Sequence, residues 1–314
     1  MELTVVMYHY VRDLKNSRYP NIKGLDIANF KKQISYLKSK YDIIRLEDVV
    51  NWYEKGIKWE GEKKACLLTF DDGYKEHFTN VLPVLLEEEI QGTFFIPTQL
   101  LSEPVCLDVN KIHLLLATTD DKLIVEDIKS WLYENKDKYS LEDYDVYYKK
   151  YHKMTRYDSP ETTVIKRLLQ FALEEDAKDE LVNKLFTKYV KDSESLVNDE
   201  LYMTIDQVKV MDRLGMGIAY HTHTHQWLGQ ISREKQIDEL EKSEEVFREM
   251  GIDCKVISYP YGSYNNDTLD LCEKRGITLA FTTEARVADL SKDAPLLIPR
   301  LDTNDLPIEE DENV

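Results

Sequence analysis

ACLLTFDDGY, residues 65–74, is the stretch that decides the fold. An apolar run of β type, Ala65 to Phe70, stops at two adjacent carboxylates and a glycine. That is the pattern of a buried strand whose C-terminal end opens into a tight turn, the glycine permitting the turn. Downstream, a helix that Pro83 starts or kinks runs to Ile90, and GTFFIP at 92–97 is a second β-type run. Upstream, LTVVMY at 3–8 is a strand, and Asp26 caps a helix with Phe30, Ile34 and Leu37 on one face. Ile43–Leu46 reads as a short strand and Leu46–Lys55 as a helix stopped by Gly56. Strand, helix, strand in this order predicts a parallel sheet with crossover helices.

The last third repeats the rhythm. A helix over Ile205–Leu214 precedes the strand MGIAYH, and a long helix over Arg233–Met250 ends at Gly251 before CKVISYP. A helix over 266–275 ends at Gly276, followed by ITLAFT, the closing stretch LLIPRLD and an acidic, frayed IEEDENV. Residues 101–202 differ: they are rich in Lys, Glu, Asp and Tyr and carry no β-type run. They read as a helical insertion within a single domain spanning 1–314, either beside the mouth of the site or as a cap that shields core.

Bulk properties narrow the functions. The 314 residues are 42% hydrophobic and 32% charged, ordinary for a globular chain. A formal charge of −18 excludes nucleic acid as a partner, because phosphates would be repelled, and disfavours a strongly anionic substrate. No eighteen-residue apolar window exists, so no membrane-spanning helix is expected. MELTVVMYHYVRD lacks the basic start and small-residue cleavage site of a signal peptide, which makes the cytoplasm the expected location. Cys66, Cys106, Cys254 and Cys272 show no paired spacing and read as reduced thiols. No protein partner is implied.

Three strings carry chemistry, each at a predicted strand end, where sites form in parallel α/β folds. In TFDDGY at 69–74, neighbouring aspartates point to different sides, so one can bind a metal while the other acts as a base. YHTHTHQWL at 220–228 offers three histidines at alternate positions, and neutral imidazole suits zinc-like ions. His221 and His225 converge on one ion if the chain leaves the strand after His221; His223 faces away. In YPYGSYN at 259–265, turn chemistry and a wall for a ligand groove are both open readings. His77, His113 and His152 sit in helical text and read as surface or insertion residues, and Trp227 either lines a pocket or fills core.

Taken together, the first two strings resemble the NodB-homology polysaccharide deacetylases (carbohydrate esterase family 4), whose T-F-D-D-G and H-[ST]-x-x-H motifs are matched without a mismatch. The resemblance covers roughly residues 1–100 and 203–305. It implies a distorted (β/α) barrel of about seven parallel strands and a carbohydrate substrate. It also implies Asp71 as general base and Asp72, His221 and His225 as ligands of one divalent metal, zinc first, with Co, Ni, Fe or Mn as alternatives. Such an Asp-His-His set leaves coordination positions open for hydrolytic chemistry. By the same resemblance Pro260 and Tyr261 wall the sugar groove, and the Tyr261 backbone N–H helps hold the oxyanion.

Two departures from the family pattern matter. The arginine that usually precedes the P-Y motif and tethers the base is missing from VISYPYG; Arg300, in IPRLD, is the candidate substitute, grouped with Pro260 and Tyr261 at the groove, and a structural salt bridge is its other reading. The general-acid histidine expected near the C-terminus is also missing, since no histidine follows His225. His9 ends the first strand, and first and last strands of a closed barrel are neighbours, so either chain end can supply that position. This resembles the permuted order of the poly-N-acetylglucosamine deacetylase branch and makes His9 the expected acid. The expected function is N-deacetylation of an acetamido sugar in a polysaccharide or glycan precursor. A non-catalytic carbohydrate-binding relic, and hydrolysis of an O-acetyl or non-sugar amide substrate, are the alternatives.

Overall fold

The computed structural model describes residues 1–156 and 158–307, so the IEEDENV tail lies outside the described residues. The apolar runs form strands β1 (Glu2–Tyr8), β2 (Lys64–Phe70), β3 (Thr93–Ile96), β4 (Gly217–Tyr220), β5 (Val256–Ser258), β6 (Leu279–Phe281) and β7 (Leu301–Asp302). Strands β1 to β6 lie side by side in chain order, every pair parallel. β7 runs parallel to β1, with Val6 opposite Leu301. Just before it, Ile298 makes a parallel bridge to Phe281 of β6. The stretch from Ile298 to Asp302 therefore touches both ends of the curled sheet and joins them, giving the distorted barrel expected from the sequence. Tyr41–Ile43 extends the sheet beside β2, and Ala288–Asp289 pairs antiparallel with β1.

Alternation along the strands sorts the core into two layers. Leu3 and Val5 of β1, Ala65 and Leu67 of β2, Ala219, Val256, Leu279 and Ile298 fill one cluster, inside the curl. Val6, Tyr8, Cys66, Leu68 and Phe70 alternate with them and belong to the cluster packed under the helices. Extended two residues at a time, the interior rows end on His9, Asp71, His221, Ser258 and Arg300. Period two in the strands thus assembles the polar groups at one end of the barrel.

Local details depart from the sequence expectation in two places. The short strand is Tyr41–Ile43, not Ile43–Leu46, because Leu46 opens the helix that Gly56 ends with φ of 65°. The helix around Pro83 is divided: a π-turn over His77–Val81, with Leu82 N–H donating to the His77 carbonyl, leads into Leu82–Glu87. Pro83 has no N–H to continue an α ladder, and the wider turn is the result.

The chain divides into two compact units. The barrel unit comprises Met1–Asp13, Gly24–Pro104 and the chain from Asn198 onward. The second comprises Leu14–Lys23 and Val105–Val197. Among its described residues it is helical, with its own core around Ile124, Ile128, Trp131, Val164, Leu168, Leu181 and Leu185. It includes ten residues, Leu14–Lys23, for which composition gave no signal. Among the described residues no helix is long and apolar enough to cross a membrane.

Candidate metal centre

Asp72, His221 and His225 each offer a ligand atom, and the three atoms lie within 4.8 Å of one another. β2 delivers Asp72, whose backbone turns out of the strand with φ of 75°. β4 delivers His221, and the chain then leaves the strand through Thr222 and His225, both at φ of 61°. That departure brings two imidazoles four positions apart onto one point, with ring centroids 4.8 Å apart. His223 turns the other way: its Nδ1 lies 2.9 Å from Thr98 Oγ1.

Protonation is set by the partners. His221 Nδ1 sits 2.7 Å from the Ser258 carbonyl, which can only accept, so Nδ1 carries the proton and Nε2 presents a lone pair. Burial lowers the pKa of His221 to about 4, keeping it neutral. Asp72 Oδ1 is buried and accepts no hydrogen bond, although His225 Nε2 is 3.2 Å and His221 Nε2 3.6 Å away. An orphaned carboxylate oxygen facing two imidazole nitrogens is costly unless something cationic lies between them. The N2O donor set fits a zinc-like ion. Burial would raise the Asp72 pKa, but His225, His9 and His221 outweigh it and hold the carboxyl well below its usual range.

Asp71 is held separately. Arg300 donates from Nη1 to Oδ1 at 2.8 Å and from Nη2 to Oδ2 at 2.7 Å, a bidentate pair that is fully buried. The guanidinium is anchored in turn by the Thr282 carbonyl at 2.9 Å and Ser258 Oγ at 2.7 Å. With its donors engaged and no exposed surface, it is not available to a ligand, so its place is that of a tether to Asp71. Burial would raise the Asp71 pKa as well; Arg300 and then His221 outweigh it, and the carboxyl stays ionised.

His9 follows β1 and lies close enough to both carboxylates to lower their pKa values. Its chain is gripped from the π-turn. His77 Nε2 donates to the His9 carbonyl at 2.8 Å, Asn80 donates to the Val11 carbonyl at 2.9 Å, and Glu76 accepts from Val11 N–H at 2.6 Å. His77 is therefore no surface residue, as its helical context implied, but fully buried. His113 and His152 belong to the second unit.

Beside His225 stands an aromatic wall. Tyr261, at φ of 58°, meets the His225 ring edge-on at 4.8 Å, and Trp227 stacks on Tyr261 at 4.2 Å. Pro260, next to Tyr261 in the chain, is buried. Glu239 was not singled out in the sequence: it accepts from the backbone N–H groups of His223 and Thr224 and from the Thr224 hydroxyl, fixing the loop between the histidines. Nothing in the sequence marks it, because an acidic residue on an amphipathic helix usually reads as surface.

The profile of the polysaccharide deacetylase family matches residues 58–123 and 176–280, just over half of the chain. The chain belongs to the polysaccharide deacetylase family. The match takes in TFDDGY, HTHTH and YPYG, while His9 and Arg300 fall outside it. Among curated relatives, YxkH of Bacillus subtilis (strain 168), named as a polysaccharide deacetylase, is 35% identical over 88 residues, 28% of this chain and 32% of that protein. Three solved structures share the fold of this polysaccharide deacetylase. The Streptococcus pyogenes deacetylase PplD, solved with acetate, has a TM-score of 0.59 at 16% identity, covering 96% of this chain and 92% of its own. IcaB from Ammonifex degensii gives 0.56 at 17%, covering 96% and 91%. A de-N-acetylase of Aggregatibacter actinomycetemcomitans gives 0.58 at 14%, covering 96% and 94%.

Proposed function

We propose that this polysaccharide deacetylase hydrolyses N-acetyl groups from an acetamido sugar in a polysaccharide or glycan precursor, with one divalent ion, preferably zinc, held by Asp72, His221 and His225. The observation that carries the reading is the buried, unbonded Asp72 Oδ1 facing two imidazole nitrogens beside a second, separately tethered carboxylate. When bound, the ion supplies the positive charge that makes a water acidic and polarises the acetamide carbonyl.

The remaining roles belong to the chain. Asp71, ionised and fixed by Arg300, takes the proton of the attacking water. The Tyr261 backbone N–H donates to the oxygen that gains charge. His9, on the side of β1, gives a proton to the leaving amine. Pro260 and Tyr261, with Trp227 stacked on Tyr261, form a wall against which a sugar ring can lie. The chain from 1 to 314 acts as one deacetylase domain that carries the 101–202 helical segment. Like the aromatic wall, the charge of −18 favours neutral acetylated glycan over an anionic polymer.

Acetate release from N-acetylglucosamine oligomers, measured beside O-acetylated sugars with and without added Zn²⁺, tests the proposal. Metal-dependent release from the amide substrates is expected. Release from esters alone would overturn the N-acetyl assignment, and no release from either would favour a binding relic.

A further inference from the structure

Tyr74 closes the TFDDGY string and has no part in the chemistry above. Its hydroxyl donates to Asp72 Oδ2 at 2.7 Å, while Asp72 Oδ1 accepts nothing. The ring is fully buried and cannot swing: Tyr10 stacks on one side at 4.1 Å and Tyr202 lies parallel at 6.2 Å. Its backbone is fixed as well. Tyr74 bridges Tyr202, and Met203 N–H donates to the Gly73 carbonyl at 3.0 Å. Gly73, at φ of 64°, sits so close to Ile96 that an added Cβ would lie 3.0 Å from it, so the turn has no room to shift.

An aspartate has two oxygens and a freely turning carboxyl plane, and a lone carboxylate at φ of 75° has little else to fix it. We infer that Tyr74 is a positioning residue: by engaging Oδ2 it fixes the plane of the Asp72 carboxylate and presents Oδ1 toward His221 and His225. The arrangement is the carboxylate counterpart of the Ser258 carbonyl on His221: each ligand is oriented by a partner behind it. Because Tyr10 follows His9 directly, the same stack ties the chain of the proposed acid to the ligand aspartate.

This inference rests on the metal reading above. The test is Zn²⁺ affinity of the whole chain and of Tyr74→Phe, measured by competition with a chelating dye, with thermal unfolding of both metal-free proteins alongside. Removing the hydroxyl while keeping the stacked ring is expected to weaken Zn²⁺ binding about 10- to 100-fold. Metal-free unfolding should stay close to the parent, since the ring contacts remain. A Tyr74→Phe protein that binds Zn²⁺ within twofold of the parent overturns the inference and leaves the metal reading standing. A parent chain that binds no Zn²⁺ overturns both. Should Tyr74→Phe be unstable, Phe30→Leu, a core variant whose ring packs on Tyr8 and Phe70, serves as the destabilised control: equal loss of Zn²⁺ affinity in both variants overturns the positioning role.

Discussion

At the residue scale the site separates two adjacent carboxylates by their partners. Asp71 faces a guanidinium and Asp72 faces two imidazole nitrogens, a difference that supports the proposed roles of fixed base and metal ligand. Asp71→Asn should cut turnover about 100- to 10,000-fold while metal content, measured by plasma emission, stays at the parent level. His9→Ala should do the same, and near-normal turnover in that variant would remove His9 from the mechanism. Arg300→Met leaves a buried carboxylate without its counter-charge, a loss of about 3–5 kcal/mol that urea unfolding would detect. TFDDG and the two histidines were legible because each motif is local. Arg300 was legible only as a candidate substitute for the family's missing arginine, beside a salt-bridge reading, since its role depends on a carboxylate more than two hundred residues away and on Ser258, which shares its guanidinium. Spacing cannot reveal such a pair.

At the element scale, strand parity explains most of the site. Once Leu3 and Val5, Ala65 and Leu67, and Ala219 face inward, His9, Asp71 and His221 must follow at the strand ends. The alternation was readable; the connections that aim the side chains were less so. The π-turn after TFDDGY places Glu76, His77 and Asn80 on the chain beyond β1, and only Pro83 hinted at it. Glu239 acts at the same scale, its carboxylate closing the loop from helix Arg233–Met250. Glu239→Gln removes a charged acceptor from two N–H groups and should destabilise the fold by about 1–3 kcal/mol. Calorimetry would show this, and a parent-like melting temperature would indicate that the loop holds itself.

For the whole molecule, the alternating first and last thirds announced a parallel barrel and LLIPRLD its closing stretch, but closure itself depends on the pairings of Ile298 with Phe281 and Leu301 with Val6, which alternation alone does not fix. The second unit was visible as a change of composition, yet its Leu14–Lys23 segment was not, because ten residues carry no periodicity to read. Buried imidazoles also give the metal-free protein a pH signature. Burial lowers His77 and His221 to about 4, whereas in the unfolded chain they take up protons near 6.5. Between those limits the unfolded state binds more protons, so stability should fall as pH falls, by up to ~1.4 kcal/mol per pH unit for each histidine. Urea midpoints that do not change between pH 6.5 and 4.5 would contradict that burial. The central claim, one ion held by Asp72, His221 and His225 and needed for hydrolysis, is tested most directly by titrating Zn²⁺ into chelator-stripped protein while following both bound metal and acetate release from an N-acetylglucosamine oligomer. The account predicts that both rise together and saturate at one ion per chain, with His221→Ala and His225→Ala failing on both. Acetate release by the stripped protein, or tight binding that survives both substitutions, would contradict it.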